Sequence, residues 1–413
     1  MVFDRLYRAI EDAMPKTILV LAASRYQLPT ITSAKRLGYR VITTDNLPEN
    51  PGHALADVNY LVDTLDKQAI LELAGRERID GIISPCTDVS VPTAAFVAEK
   101  LGLLGIPYSS ASIICDKIAF SEFLELHNFP HPLAFQIHSE YRPSAAVFHQ
   151  PWLIKPDRSS GSKGIFAVRT ENEFYERLPE CMNFSPARRG ILQQFILGSQ
   201  GTCEGVLVSG ELALTFVLDR QTVDLPYVVT SGHHLPTCLA PKLQARLFDH
   251  LRRLWRLLNV TSGPFDCDFV ATQDEVYILE VTARMGGNSI STLINKAANF
   301  DLVEYSVKQA VGEPVRLPSS VALRPMALIL LGVTEPGLLD YDRDEAEALL
   351  RESWVDSISW DVPYGQAVLP FINGRHRVGE AFIYGADRME VDARVVEFKR
   401  RLNLKASSSK CYD

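Results

Sequence analysis

The sequence has no long apolar run. Its longest strongly apolar stretch, Met326 to Val333, falls far short of the roughly 20 residues that cross a bilayer, which excludes a spanning helix and any membrane partner of that kind. There is no block of like charge either. With 42 basic and 50 acidic side chains and a net charge of −8, neither a nucleic-acid groove nor a membrane-surface patch is expected. Cysteine is sparse. The seven residues, at 86, 115, 181, 203, 238, 267 and 411, are odd in number and lack CxxC spacing, which speaks against a disulfide framework or a zinc site. The opening MVFDRLYRAIEDAMPK mixes acids with bases and has no apolar signal core. Internal repeats and low-complexity tracts are missing too. A soluble, cytoplasmic chain is the expectation, and 413 residues at 46% hydrophobic content suggest two to four domains with several cores.

What is present begins with alternating strands and helices. Apolar β-rich runs occur at 17–22 (TILVLA), 39–45 (YRVITTD), 57–63 (DVNYLVD) and 80–85 (DGIISP), with helical patterns after the first run and at 66–78 and 91–101. That spacing predicts a parallel sheet wound with helices, with ligands beyond the carboxyl ends of its strands. Arg25, Asp45 and Asp88 follow three of those ends, where they serve equally well as turn or cap residues. Beyond Ser109 the pattern changes. A helix is expected at 116–127, a hairpin from WLIKP (152–156) to GIFAVR, and three short strands over 191–217. An irregular stretch follows at 218–241, then a helix at 243–258 and another around 290–312. From about 317 come strand-like runs at 326–333, 367–372 and 380–384 and a charged helix at 389–402.

The most informative stretch is GPFDCDFVATQDEVYILEVTARMGG, Gly263 to Gly287. With Gln273, Asp274 and Glu275 as a turn, antiparallel pairing sets Asp268 opposite Glu280, Val270 opposite Ile278 and Asp266 opposite Thr282. The period of two puts both rungs of polar residues on one sheet face. Two carboxylates about 5 Å apart repel unless a cation lies between them, and Mg²⁺ takes oxygen ligands of this kind. Two solvated acids at a sheet edge fit the same letters. Lys155 ends an apolar strand and precedes a loop of Ser159, Ser160, Gly161, Ser162, Lys163 and Gly164, small residues with many N–H donors that can close over phosphates. The GxxxxGK[ST] spacing is absent. Lys117 opens a helix, a poor place for a cation beside the positive end of the macrodipole. His233 and His234 sit in TSGHHLP, as solvated loop residues or as groups binding a carboxylate or acting as a base.

Taken in order, DK (116–117), the strand lysine and its loop (155–164), ILQQFILG (191–198), the acids at 268 and 280 and TARMGG (282–287) resemble the ATP-grasp superfamily. The similarity is to its carboxylate–amine ligases and covers roughly 17–385. The resemblance implies an α/β and α+β architecture: an N-terminal parallel α/β domain (1–112), a two-lobed ATP-grasp domain (113–316) and a small C-terminal closing lobe (317–413). It implies ATP and Mg²⁺ (or Mn²⁺) as cofactors, small-molecule carboxylate and amine substrates, and a homodimer. By position, Lys117 and Lys155 would contact phosphates and Ser160 to Gly164 would cover them. Gln193, Gln194, Phe195 and Ile196 would hold adenine, with Gln200 at the ribose. Gln193 and Gln200 stand where the family often has glutamate. Asp268, Glu280 and Thr282 would form the metal site. Asparagine is commoner at position 282, so Asp266 or water is expected to supply the missing oxygen. Arg284, with Lys155, would stabilise the phosphoryl group in transfer. Arg25, Asp88, His233, His234, Gly286 and Gly287 are candidates for substrate contact. A carboxylase acting through carboxyphosphate and a non-catalytic ATP-binding regulator are the alternatives.

Overall fold

The computed structural model describes residues 15–159, 161–224 and 226–407. Strands β1 (Thr17–Leu21), β2 (Arg40–Asp45), β3 (Val58–Leu61) and β4 (Gly81–Ile83) form a parallel sheet in the order β3-β2-β1-β4. TILVL is apolar without alternation and all five of its residues are buried, as a strand covered on both faces requires. Helices Leu28–Arg36, Lys67–Glu77 and Val91–Leu101 lie between and after these strands. The loops leaving β1, β2 and β4 therefore gather at one edge of the sheet.

A second sheet is antiparallel, with order β5-β8-β6-β7. It comprises β5 (Ala134–His138), β6 (Trp152–Pro156), β7 (Phe166–Val168) and β8 (Arg189–Gln194). The third is larger and also antiparallel. Its strands are β9 (Ser199–Val208), β10 (Glu211–Thr222), β11 (Thr230–Leu235), β12 (Gly263–Ala271), β13 (Val276–Thr282), β14 (Met326–Leu331), β16 (Val355–Trp360) and β18 (Gly379–Tyr384). They run in the order β13-β12-β9-β10-β11-β14-β18-β16. Strands β15 (Gly337–Asp340), β17 (Ala367–Val368) and β19 (Lys405–Ser407) make a small sheet beside it. The segment beyond 317 thus continues the main sheet through β14, β18 and β16. Helix Pro241–Leu257 lays its buried stripe of Leu243, Leu247, Leu251 and Leu254 against β9, β12 and β13, closing the largest core.

Four departures from the sequence-based expectations bear on the site and its surroundings. The 218–241 stretch is not irregular throughout, since β10 continues to Thr222 and TSGHHL is a buried strand, β11. The helix expected around 290–312 is two, Ile290–Ala298 and Leu302–Ala310; Asn299 breaks the first in a left-handed conformation and Asp301 caps the second. An extra helix, Tyr108–Ile114, precedes Asp116. Finally, Asp268 does face Glu280 and Asp266 does face Thr282, but Val270 pairs with Tyr277 rather than Ile278. The hairpin turn spans 272–275, and a β-bulge at Leu279 restores the register before the acids.

Candidate active site

One cavity of about 690 Å³ lies where the three sheets converge, and most of the candidate residues line it. Its floor is the third sheet. Strand pairing builds two parallel rungs across β9, β12 and β13: Thr202, Asp268, Glu280, and next to it Glu204, Asp266, Thr282. Successive rungs are two residues apart on each strand, so they share a face. Leu279, the bulged residue, also lines the cavity beside Glu280.

The acids of the first rung are already engaged. Arg220 Nη1 reaches Asp268 Oδ2 at 2.8 Å, and the Thr202 hydroxyl donates to Asp268 Oδ1 at 2.6 Å. Burial opposes the Asp268 charge, but Arg220 and Thr202 hold its carboxyl below the usual range. Lys117 Nζ lies 3.6 Å from Glu280. Burial also opposes the lysine's charge, and Glu280 with Asp88 holds its ammonium above the ordinary value. Asp116 explains why Lys117 is tolerated at a helix start, because its carboxylate caps the N–H groups of Ile118 and Ala119.

The second rung is deeper. Burial lifts Glu204 well above the ordinary carboxyl range and Asp266 to about 7. Arg284 answers Asp266 at 3.1 Å with Nη1, and its Nε and Nη2 donate to Asp88 Oδ1 at 3.0 and 2.5 Å. Asp88 follows β4, so this ion pair joins the first domain to the sheet. Glu204 Oε1 accepts the Gly286 N–H. A Cβ on Gly286 would come within 2.0 Å of that same oxygen, so only glycine fits there.

Above the floor, Lys155 ends β6. It is buried, and desolvation pushes its ammonium down to about 8; Nζ donates to Gln193 Oε1 on β8 at 2.6 Å. The next loop carries Gly161, Ser162 and Gly164 at positive φ and presents Ser159, Gly161, Ser162 and Lys163 to the cavity. Gly164 lies under it, packed on Phe184. Ser160 falls outside the described residues. Gln193, Gln194, Phe195, Ile196 and Gln200 line the adjoining rim.

Three expected contacts are placed differently. His233 and His234 are consecutive on β11, so they face opposite ways. His233 enters the cavity with neither ring nitrogen hydrogen-bonded to described residues, and burial and Arg220 push its imidazolium down to about 3. His234 turns away, its Nδ1 2.7 Å from Asp392 Oδ1. Gly286 sits behind the wall on Glu204, leaving Gly287 at the surface of the cavity. Arg25 lines the mouth but is paired with Asp361 at 3.0 Å. Sequence reasoning missed Thr202, Glu204, Arg220 and Arg375. Arg220, a charge directly after LALTFVLD, carried a signal of its own: an arginine at the end of an apolar strand needs a partner.

These residues suit a polyphosphate with a hard cation. Among the described residues Thr282 Oγ1 and Asp266 Oδ1 are buried without a partner, and the acceptors of the two rungs are all oxygens. Among the described residues no group of three or more metal-binding side chains is already gathered. A Mg²⁺ ion held by two carboxylates, phosphate oxygens and water needs no such group.

Residues 114–288 match the family model of the ATP-grasp domain. These residues form an ATP-grasp domain. The chain is accordingly an ATP-dependent enzyme of the ATP-grasp ligase type. A formate-dependent phosphoribosylglycinamide formyltransferase of Chlorobaculum tepidum is 29% identical over 406 residues, spanning 94% of this chain and 96% of the relative. Among solved structures, an L-amino acid ligase from Bacillus licheniformis superposes with a TM-score of 0.80 at 16% identity over 96% of this chain and 99% of its own. A phosphoribosylglycinamide synthetase from Anaerococcus prevotii gives 0.74 at 19% identity over 95% and 100%. These two likenesses establish the fold of this ATP-grasp protein along nearly its whole length. No helix among the described residues is long and apolar enough to cross a membrane.

Proposed function

We propose that this ATP-grasp protein joins the carboxylate of an amino acid or small organic acid to an amine through an acyl phosphate, in the cytoplasm. The observation that carries the proposal is the roughly 690 Å³ cavity between cationic and acidic walls, whose far mouth is lined by Ser24, Arg25, Cys86, Thr87 and Asp88 from the first domain. In this reading the domains divide near 112 and 316, and both substrates enter between the first domain and the sheet.

Lys117, Lys155 and the 159–164 loop bind the phosphates, and residues 193–196 hold the base. The Ile196 N–H makes no backbone hydrogen bond among the described residues, which leaves a donor for the base edge. Asp268 and Glu280, with Thr282 or Asp266, would hold the cation, whose charge would offset that of the phosphoryl group. Arg284 orients the acid, displacing part of its bond to Asp88, and keeps the developing charge balanced. Once ATP has phosphorylated the acid, the amine attacks the acyl carbon, phosphate departs, and the attacking nitrogen loses a proton. The enclosed cavity limits hydrolysis of the acyl phosphate.

The test is ADP release by purified protein with Mg-ATP against pooled amino acids and small acids, formate included, each with and without amines. ADP that requires both an acid and an amine is the expected result. ADP release with bicarbonate and no organic acid would replace this reading with a carboxylase. The relatives named above favour one second reading, a phosphoribosylated amine as acceptor, so such amines belong in the pools.

A further inference from the structure

Arg375 stands apart from the other arginines around the cavity. Arg25 is matched by Asp361, Arg220 by Asp268, Arg284 by Asp88 and Asp266, and nearby Arg377 by Asp361 and Glu380. Among the described residues the Arg375 side chain makes no hydrogen bond or ion pair. Only its backbone is engaged, donating to Asn373 Oδ1 at 2.9 Å. Yet Arg375 lines the same cavity as Lys163, whose ammonium also lacks a partner among the described residues.

The position of Arg375 is fixed by the peptide before it. The Gly374 N–H donates to Gly161 O at 3.0 Å, tying the turn Gly374–His376 to the loop after β6. Gly374 O accepts from Arg25 Nη2 and from the Tyr26 hydroxyl, both at 3.1 Å, tying the same turn to the loop after β1. One residue of the C-terminal segment therefore bridges the loop after β6 and the first domain, and the next side chain, itself exposed, lines the cavity. Burial and the neighbouring charge of Arg375 together lower the Lys163 ammonium below its ordinary value. Two cations held together without an anion repel each other. The arrangement makes chemical sense when an anion lies between them.

We propose that Arg375 and Lys163 clamp a phosphoryl group, the terminal phosphate of the bound nucleotide, with Arg375 supplied by the C-terminal segment. The proposal rests on the ligase reading above. A guanidinium presents paired donors that match phosphate oxygens, and it stays charged throughout. A phosphate carried by the amine substrate offers the same chemistry, and binding measurements separate the two sources without any turnover.

Dissociation constants of the full chain for the non-hydrolysable analogue AMP-PNP and for ADP, each with Mg²⁺, are measured by titration calorimetry for the wild type, Arg375→Ala and Arg375→Lys. Arg375→Ala is expected to weaken AMP-PNP on the order of tenfold and ADP by less than about twofold, with Arg375→Lys recovering part of the loss. Equal weakening of both nucleotides, or no change in either, overturns the proposal. Unchanged nucleotide binding with a selective loss of affinity for phosphorylated amines overturns it in favour of a substrate phosphate. A wild-type protein that binds neither nucleotide removes the ligase reading, and the clamp with it.

Discussion

Lys155 and Asp268 stand on opposite walls of one cavity, and burial treats them differently. Among the described residues Lys155 has only the Gln193 amide as a direct partner, and burial pushes its ammonium down to about 8. Asp268 has Arg220 and Thr202, and its carboxyl stays low. The lysine wall carries charge that awaits an anion from outside. The acid wall is neutralised from within, so an incoming cation has to take Asp268 and Glu280 over from Arg220 and Lys117. In the proposed reading, Mg-ATP would satisfy the first wall and rearrange the second.

The largest expected effect tests that asymmetry. Lys155→Ala and Asp268→Ala should each lower turnover on the order of 10²–10³-fold, the usual loss when one preorganised charge contact goes. Their stabilities should diverge. Asp268→Ala strands Arg220 and should cost about 1–3 kcal/mol, whereas Lys155→Ala removes a desolvated charge and should leave the thermal midpoint unchanged or raised. Equal destabilisation in calorimetry would break the comparison.

A second test uses pH. Bound phosphate raises the Lys155 pKa, so nucleotide binding takes up a proton wherever the free protein has lost it. Affinity should be level below about pH 8 and fall above it, approaching tenfold per pH unit. Lys155→Arg, which keeps its charge, should flatten the profile, and a profile that rises with pH in the wild type would contradict the assignment.

The smallest effect concerns Thr282. Its hydroxyl is buried without a partner, and Thr282→Asn extends an oxygen toward Asp268 and Glu280. The Mg²⁺ concentration for half-maximal activity should fall roughly 2- to 10-fold. No shift in that titration, alongside a loss in Asp266→Asn, would assign the third oxygen to Asp266.

The hairpin shows how far the sequence could be read. A three-residue turn without a bulge and the observed longer turn with a bulge at Leu279 both bring Asp268 opposite Glu280. The acid pair was legible because period-two alternation survives either route. The neighbouring pairing was not, since bulges follow from twist and packing rather than from composition. The small-residue loop and its lysines were legible as letters. Glu204 was not, because it becomes meaningful only through pairing with strands distant in sequence; Arg220 announced the need for a partner, but not that the partner is Asp268. His233 and His234 could be separated only after TSGHHL proved to be a strand, a point hidden by the prolines at 226, 236 and 241. The role of Arg375 depends on the docking of the Gly374 peptide, which no local pattern announces.

Strand β8 belongs to the small antiparallel sheet and β9 to the large one, and residues 195–198 carry the chain directly from one to the other. If the base lies along Phe195 and Ile196, it rests on the axle between two rigid plates. One plate bears Lys155 and Gly161; the other bears Asp268, Glu280 and, through β18, the turn holding Arg375. Any swing that parts the plates pulls the lysines from the acids and unlatches Gly374 from Gly161 in a single stroke, while the axle keeps hold of the base. On that placement the nucleotide would be held at the pivot by its base and at the jaws by its phosphates, so spent nucleotide would loosen at one end before it leaves the other.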